Sequence, residues 1–248
     1  MIEPLIILGY GVGAAADIPL LAATPKFRKC TPKMQLASIS IHRSIAALKK
    51  TKSESALSDR SRVGFVLNSG YGELEATTGF LKTLAESGVA RPMLFQNSLH
   101  NSTTGFCAIH FQLEGPAFTL NHRIFGGEQA LLLAETLIAD GECDVCLVTT
   151  VESVPLEFLN LSAPGIDGAA SVIVASRAWA LRHEVDAKAE ITDVRCYEDD
   201  SRREERSSLV FASLYEQDAV FRLVEHVESP RDFKIEKSVG GHSEIRMT

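Results

Sequence analysis

Residues 115–141, GPAFTLNHRIFGGEQALLLAETLIADG, decide the fold. Ala117 to His122 is short, follows Pro116 and mixes apolar with β-branched side chains, the make-up of a buried strand. Gly126 and Gly127 come next, a pair that lets the backbone turn sharply or approach another element closely. From Glu128 to Asp140 the apolar residues Leu131, Leu132, Ala134, Leu137 and Ile138 predict a helix, and Gly141 fits its C-terminal stop. A strand that feeds a helix through so sharp a turn holds the turn residue over a helix N-terminus, the geometry of a nucleophile elbow. The residue at this turn is Ile124, which has no atom able to act as nucleophile, acid or base.

Outward from the elbow the chain alternates strands and helices. Upstream, Val63–Asn68 reads as a strand, Gly70-Tyr71-Gly72 as a turn, and Glu73–Ser87 as a helix with acidic residues in its first turn and Gly88 beyond its end. Pro92–Asn101 reads as an irregular connection. Thr103–Leu113 reads as a short helix that buries Phe106, Ile109 and Leu113, with Cys107 and His110 three residues apart on it. A Cys–His pair there is a conceivable nucleophile, against the plainer reading of a small buried thiol. Further upstream, Thr31 caps and Pro32 opens a helix to Leu48, striped by Met34, Ala37, Ile41, Ile45 and Leu48, with His42 read as a partly buried histidine. Leu5–Gly9 opens the chain as a strand. Gly9, Gly11 and Ala14 satisfy G-x-G-x-x-A, but Pro19 and Pro25 break the helix a dinucleotide fingerprint needs, so the glycines read as a turn after the strand.

Downstream, Asp144–Thr150 and Ala169–Ala175 read as strands, with a loop from Glu152 to Asp167 between them. Cys143 and Cys146 form CxxC, yet on one strand residues three apart point to opposite faces, and a metal site needs two further ligands. Lys188–Tyr197 is a possible strand, EDDSRREER at 198–206 a solvated loop, Leu209–Glu228 a helical apolar pattern, and Phe233–Lys237 a possible last strand. Helices placed between strands predict a layered α/β sheet.

The composition is that of an ordinary globular protein: 248 residues, 45% hydrophobic, 23% charged, net charge −7. A formal excess of acid with no Lys/Arg cluster argues against nucleic acid. No apolar run reaches the length of a membrane helix, and the opening MIEPLIILGYG lacks the basic start of a signal peptide. Five irregularly spaced cysteines predict reduced thiols and a cytoplasmic protein.

GPAFTLNHRIFGGEQA resembles the elbow of the β-ketoacyl synthases, GPNLTVSTACASGAHA in general form, with Gly115, Pro116, Thr119, Gly127 and Ala130 matching. Arg62–Glu75, RVGFVLNSGYGELE, resembles that family's RVGVVVGSGIGGLE. Phe95–Leu113, through Leu99, Asn101, Gly105 and Ile109, resembles its FxxxxLxNxxAGxxAIxFGL, and DGAASVIVAS at 167–176 its EGAGALVLE strand. The family's nucleophilic cysteine falls on Ile124. Relatives without that cysteine are the chain length factors, which pair with an active ketosynthase, and a short member of that group, of the kind in aryl polyene pathways, is what this chain resembles.

The resemblance implies a thiolase-like αβαβα fold over one domain, 1–248, with residues 1–176 as the N-terminal half and 177–248 as a truncated, divergent C-terminal part. It implies no catalytic residue and no cofactor or metal. The expected partner is a full-length ketosynthase with an intact cysteine, in a heterodimer or heterotetramer. An acyl carrier protein, itself acidic, would dock on that partner rather than on a chain of net charge −7. In the family the strand before the elbow lies at the dimer two-fold, so Thr119, Leu120, Asn121, His122, Arg123, Ile124 and Phe125 are the expected interface and pocket residues. Of the family's two histidine segments, the HGTGT-like one is missing. KSVGGH at 237–242 fits the other, as a relic or a coincidence. Cys107, His122 and His242 are the candidates for an independent activity, malonyl-carrier decarboxylation or thioester hydrolysis by a homodimer; a purely structural scaffold is the third reading.

Overall fold

The computed structural model describes residues 4–19, 24–49, 56–154, 167–185, 187–197, 218–236 and 242–248. Their strands are β1 (Leu5–Ala14), β2 (Val63–Asn68), β3 (Ala117–Leu120), β4 (Val145–Glu152), β5 (Gly168–Ser176), β6 (Ala189–Tyr197), β7 (Phe233–Glu236) and β8 (His242–Met247). The helices are α1 (Pro32–Lys49), α2 (Leu74–Ser87), α3 (Pro92–Asn97), α4 (Ser102–Phe111), α5 (Gly126–Ala139), α6 (Arg177–Arg182) and α7 (Ala219–His226). The strands join in the order β3-β2-β4-β5-β1-β6-β8-β7. Strands β3, β2 and β4 run parallel, joined by helical crossovers, and the rest pair antiparallel.

Strands β2, β4 and β5 are buried along their whole length, because helices cover both faces. On one face α1, α4 and α6 close a core around Leu8, Ile41, Phe65, Leu147 and Ile173. On the other, α5 and α7 pack around Val66, Leu131, Val148, Val172 and Leu223. Helix α5 lies on β2, β4 and β5 and again on β6. Strands β1 and β6 pair over only three residues. The three C-terminal strands thus come back over α5, and Ser243 on β8 hydrogen-bonds Glu128 on α5. The outer side of these strands is solvated: along β8, Ser243, Ile245 and Met247 are buried, while His242, Glu244 and Arg246 are not. Of the five layers the resemblance implies, the outermost helices over the C-terminal strands have no counterpart among the described residues.

Several local readings change in three dimensions. The glycines of β1 are strand residues, not a turn. They alternate, so they share one face, and α1 presses on it: a Cβ at Gly9, Gly11 or Gly13 would stand 2.5, 2.5 or 2.6 Å from the carbonyl oxygens of Ser44, Ser40 and Leu36. Helix α1 is buried over most of its circumference, and His42 is exposed. Pro92–Asn97 is helical rather than irregular, and Ile109 on α4 is 82% exposed rather than buried. Strand β3, expected to be buried, is an edge strand with Phe118 42% exposed. Cys143 precedes β4 and is not on it. The two thiols of CxxC therefore meet on one side, over Gly64. A last strand, β8, follows the one expected from Phe233. The loop at 198–206, most of the loop at 155–166 and the 209–217 part of the helical pattern lie outside the described residues.

Candidate functional site

Strand β3, the turn at 121–125 and α5 form the elbow that the sequence predicts, and Gly141 ends the helix with φ 73°. β3 pairs with β2 from Phe65↔Ala117 to Asn68↔Leu120; its other side faces no strand among the described residues. Asn68, at the end of β2, fixes the turn by accepting the His122 N–H at 3.2 Å through Oδ1. Its side chain also fills the space where a Cβ at Gly126 would lie, which accounts for glycine there. Gly127 gives way in the same manner to the Asp218 carboxylate, which caps α7. The Phe125 N–H donates to His122 Nδ1 at 3.2 Å.

The expected interface and pocket residues divide by exposure. Asn121 and His122 are exposed; Thr119, Leu120, Arg123 and Ile124 are half-buried; Phe125 is 2% exposed within this chain. Thr119 shares a hydroxyl–hydroxyl bond of 2.6 Å with Thr104 on α4. Asn121 Nδ2 donates to His100 Nδ1 at 3.1 Å.

The alternative catalytic groups are scattered. Cys107 is wholly buried, and burial pushes its thiol up to about 12, the opposite of what a nucleophile needs. His110 makes no pair with it. That ring sits among Phe27, Phe106 and Phe111, and burial lowers its pKa. His242 lies on the outer side of β8, stacked on Tyr197 at 4.6 Å and 3.6 Å from Glu244, while its neighbour Ser243 takes the inward position toward α5. The rest of the KSVGGH string lies outside the described residues. His122, exposed and with Nδ1 accepting from the backbone, is a capping group.

The sequence reading missed the charged residues behind the elbow. Lys33 on α1 is 2% exposed and Glu152, the last residue of β4, is 1% exposed. Lys33 Nζ stands 3.7 Å from Glu152 Oε2 and donates to Ser69 Oγ at 2.8 Å and to the Gly72 carbonyl. Glu152 accepts from Ser69 Oγ at 3.0 Å and from the N–H groups of Gly70 and Tyr71. Glu73, buried beside them, accepts from Thr103. Burial raises the pKa of both carboxyls, and Lys33 works against that rise in each. The network fixes the 69–72 turn, on which the elbow rests: a Cβ at Gly70 would stand 2.9 Å from Arg123 Cα. The available signal was an acid ending an otherwise apolar strand and a lysine in the first turn of a buried helix; their pairing is a fact of the fold.

Comparison with known proteins bears on this architecture. The profile of the β-ketoacyl synthase N-terminal domain matches residues 32–227, and the chain belongs to that family. A search of curated proteins returns no match. Among solved structures the chain is similar to AntDE:AntF, a type II polyketide synthase acyl-carrier protein in complex with its ketosynthase: 13% identity, 100% of this chain and 99% of that one, TM-score 0.73. It is similar to the ishigamide ketosynthase/chain length factor at 15% identity, covering 99% of each chain, TM-score 0.69. It is similar also to a ketosynthase in complex with its chain length factor from Xenorhabdus doucetiae at 19% identity, 98% of each, TM-score 0.63. At such identities the likeness establishes the layered thiolase-like fold. No helix among the described residues is long and apolar enough to cross a membrane.

Proposed function

We propose that this chain is a non-catalytic, chain-length-factor-like subunit that pairs with a cysteine-bearing ketosynthase in polyketide or aryl polyene-type synthesis. The observation that carries the reading is Ile124: the elbow is built and braced, and its turn residue has no nucleophilic atom. Decarboxylative condensation needs a thiolate to hold the growing acyl chain while the malonyl thioester loses carbon dioxide and attacks it. That thiolate comes from the partner. What this chain offers is the margin beside its elbow, the open side of β3 with exposed Phe118, Met93, Phe95, Leu99 and Ile109 on and near it. Apolar side chains of this size in one region mark a surface made to be covered. In the pair, Ile124 and its neighbours would limit the depth available to the acyl chain, and an acidic carrier protein would dock on the partner.

Co-expression with a cysteine-bearing ketosynthase from the same genome tests this. A purified 1:1 complex is expected, with condensation lost when the partner's cysteine is replaced. A stable homodimer that ignores every such ketosynthase overturns the reading. Ile124→Ala in the complex is expected to lengthen the product; an unchanged product length reduces the role to scaffolding.

A further inference from the structure

We infer that Arg123 reads the partner: the pairing surface of the ketosynthase carries a carboxylate that meets the Arg123 guanidinium at the end of β3. The inference rests on the pairing proposed above and goes further by naming the chemistry that selects the partner.

The rim at the end of β3 carries several donors, with the Asn121 amide oxygen as an acceptor among them. With Phe125 N–H donating to His122 Nδ1, the donor position of this exposed ring is Nε2. With Asn121 Nδ2 donating to His100 Nδ1, the same holds for His100. Arg123 is half-buried, its stem beside Gly70 and its charge acting on the Tyr71 hydroxyl, and among the described residues no hydrogen bond or ion pair holds its guanidinium. Arg43, Arg62 and Arg222 are matched to Asp17, Asp144 and Glu225, while Arg60 and Arg91 are, like Arg123, without an ion pair among the described residues; what sets Arg123 apart is its place at the end of the open strand. A rim of donors stands out on a chain whose net charge is −7.

The position makes the lack of an acceptor matter. A molecule that pairs along the open side of β3 covers the turn that follows it. A guanidinium covered without an anion loses its water and gains nothing, which weakens any complex that leaves it so. A carboxylate there takes two parallel N–H bonds from the planar fork. A surface with a neutral or basic group at that point is rejected, so one arginine separates the right ketosynthase from a wrong one and from a second copy that brings only this same donor rim.

The test measures binding of the purified chain to the cysteine-bearing ketosynthase with which it co-purifies. Expected are a loss of affinity of about 10–100-fold for Arg123→Ala, a larger loss for Arg123→Glu, and retention within about 10-fold for Arg123→Lys. Exchange of the partner's carboxylate for lysine should restore binding to Arg123→Glu. Circular dichroism and melting temperature should move little for Arg123→Lys and Arg123→Glu, which keep the stem beside Gly70 and break no ion pair among the described residues. Arg123→Glu binding within about twofold of wild type overturns the inference, and so does a loss that no charge exchange restores. Phe118→Lys is the separate control on the pairing itself. If it abolishes binding while Arg123→Glu does not, only the role of Arg123 fails. If neither changes binding, or no cysteine-bearing ketosynthase binds, the pairing along β3 fails and the role of Arg123 with it.

Discussion

The seam between α1 and β1 and the margin along β3, α3 and α4 are made from similar apolar residues and end in opposite states. At the seam three glycines let a helix backbone reach a strand backbone. Hydroxyls bridge what remains, Ser40 to Ser171 at 2.7 Å and Ser171 to Thr149 at 2.8 Å, and the cations are matched, Lys33 to Glu152 and Arg43 to Asp17. At the margin, among the described residues, a strand has one ladder instead of two, large apolar side chains meet water, and an arginine has no ion pair. The seam is complete within one chain. The margin reads as half of an interface.

Breaking the seam should cost most. Lys33→Met leaves two carboxylates buried with no cation, and stability is expected to fall by about 3–5 kcal/mol in chemical denaturation. A fall below about 1 kcal/mol would mean the network is spectator to the fold. Gly11→Val, which sets a side chain against the Ser40 carbonyl and the Arg43 Cβ, should cost about 1–3 kcal/mol or more by the same measurement. Tolerance of valine would show that α1 can back away from β1.

The buried carboxyls give a pH signature that the margin lacks. Glu73 and Glu152 have raised pKa values, from burial first, so the folded chain holds these protons more tightly than the unfolded one. Unfolding free energy should therefore decline as pH rises from the ordinary value of 4.5 to the raised one, and be level above it. Denaturation curves of Glu73→Gln should show a shallower decline than wild type. Equal slopes would remove Glu73 from the account. The smallest effect belongs to the margin: Ile109→Ser should change the stability of the isolated chain by no more than about 0.5 kcal/mol while weakening the ketosynthase complex. A large loss of stability would make α4 part of the core after all.

The difference between the regions also governs what could be read beforehand. The elbow was legible because each part has a local cause: β-branched residues for the strand, paired glycines for the turn, an i, i+3, i+4 apolar pattern for the helix. The open side of β3 was not, since an edge strand and a central one can carry the same short run. Nor was the seam. Alternating glycines in β1 look like a turn until a helix is laid across them, and the CxxC cysteines look divergent until the first is seen to precede its strand. Cys107 and His242 fell as catalytic candidates for the same reason. Their spacing and motif are sequence facts, but burial of one and the outward face of the other follow from packing.

By itself the sequence determined the alternation of strands and helices around the elbow, the isoleucine at its turn and the family, because these depend on residue type and spacing over a few neighbours. The tertiary structure alone decided which strand became an edge, that Lys33 and Glu152 meet behind the elbow, that the C-terminal strands return over α5, and that Arg123 has no ion pair among the described residues. Those are relations between residues far apart in the chain, fixed by which surfaces the fold buries and which it leaves open.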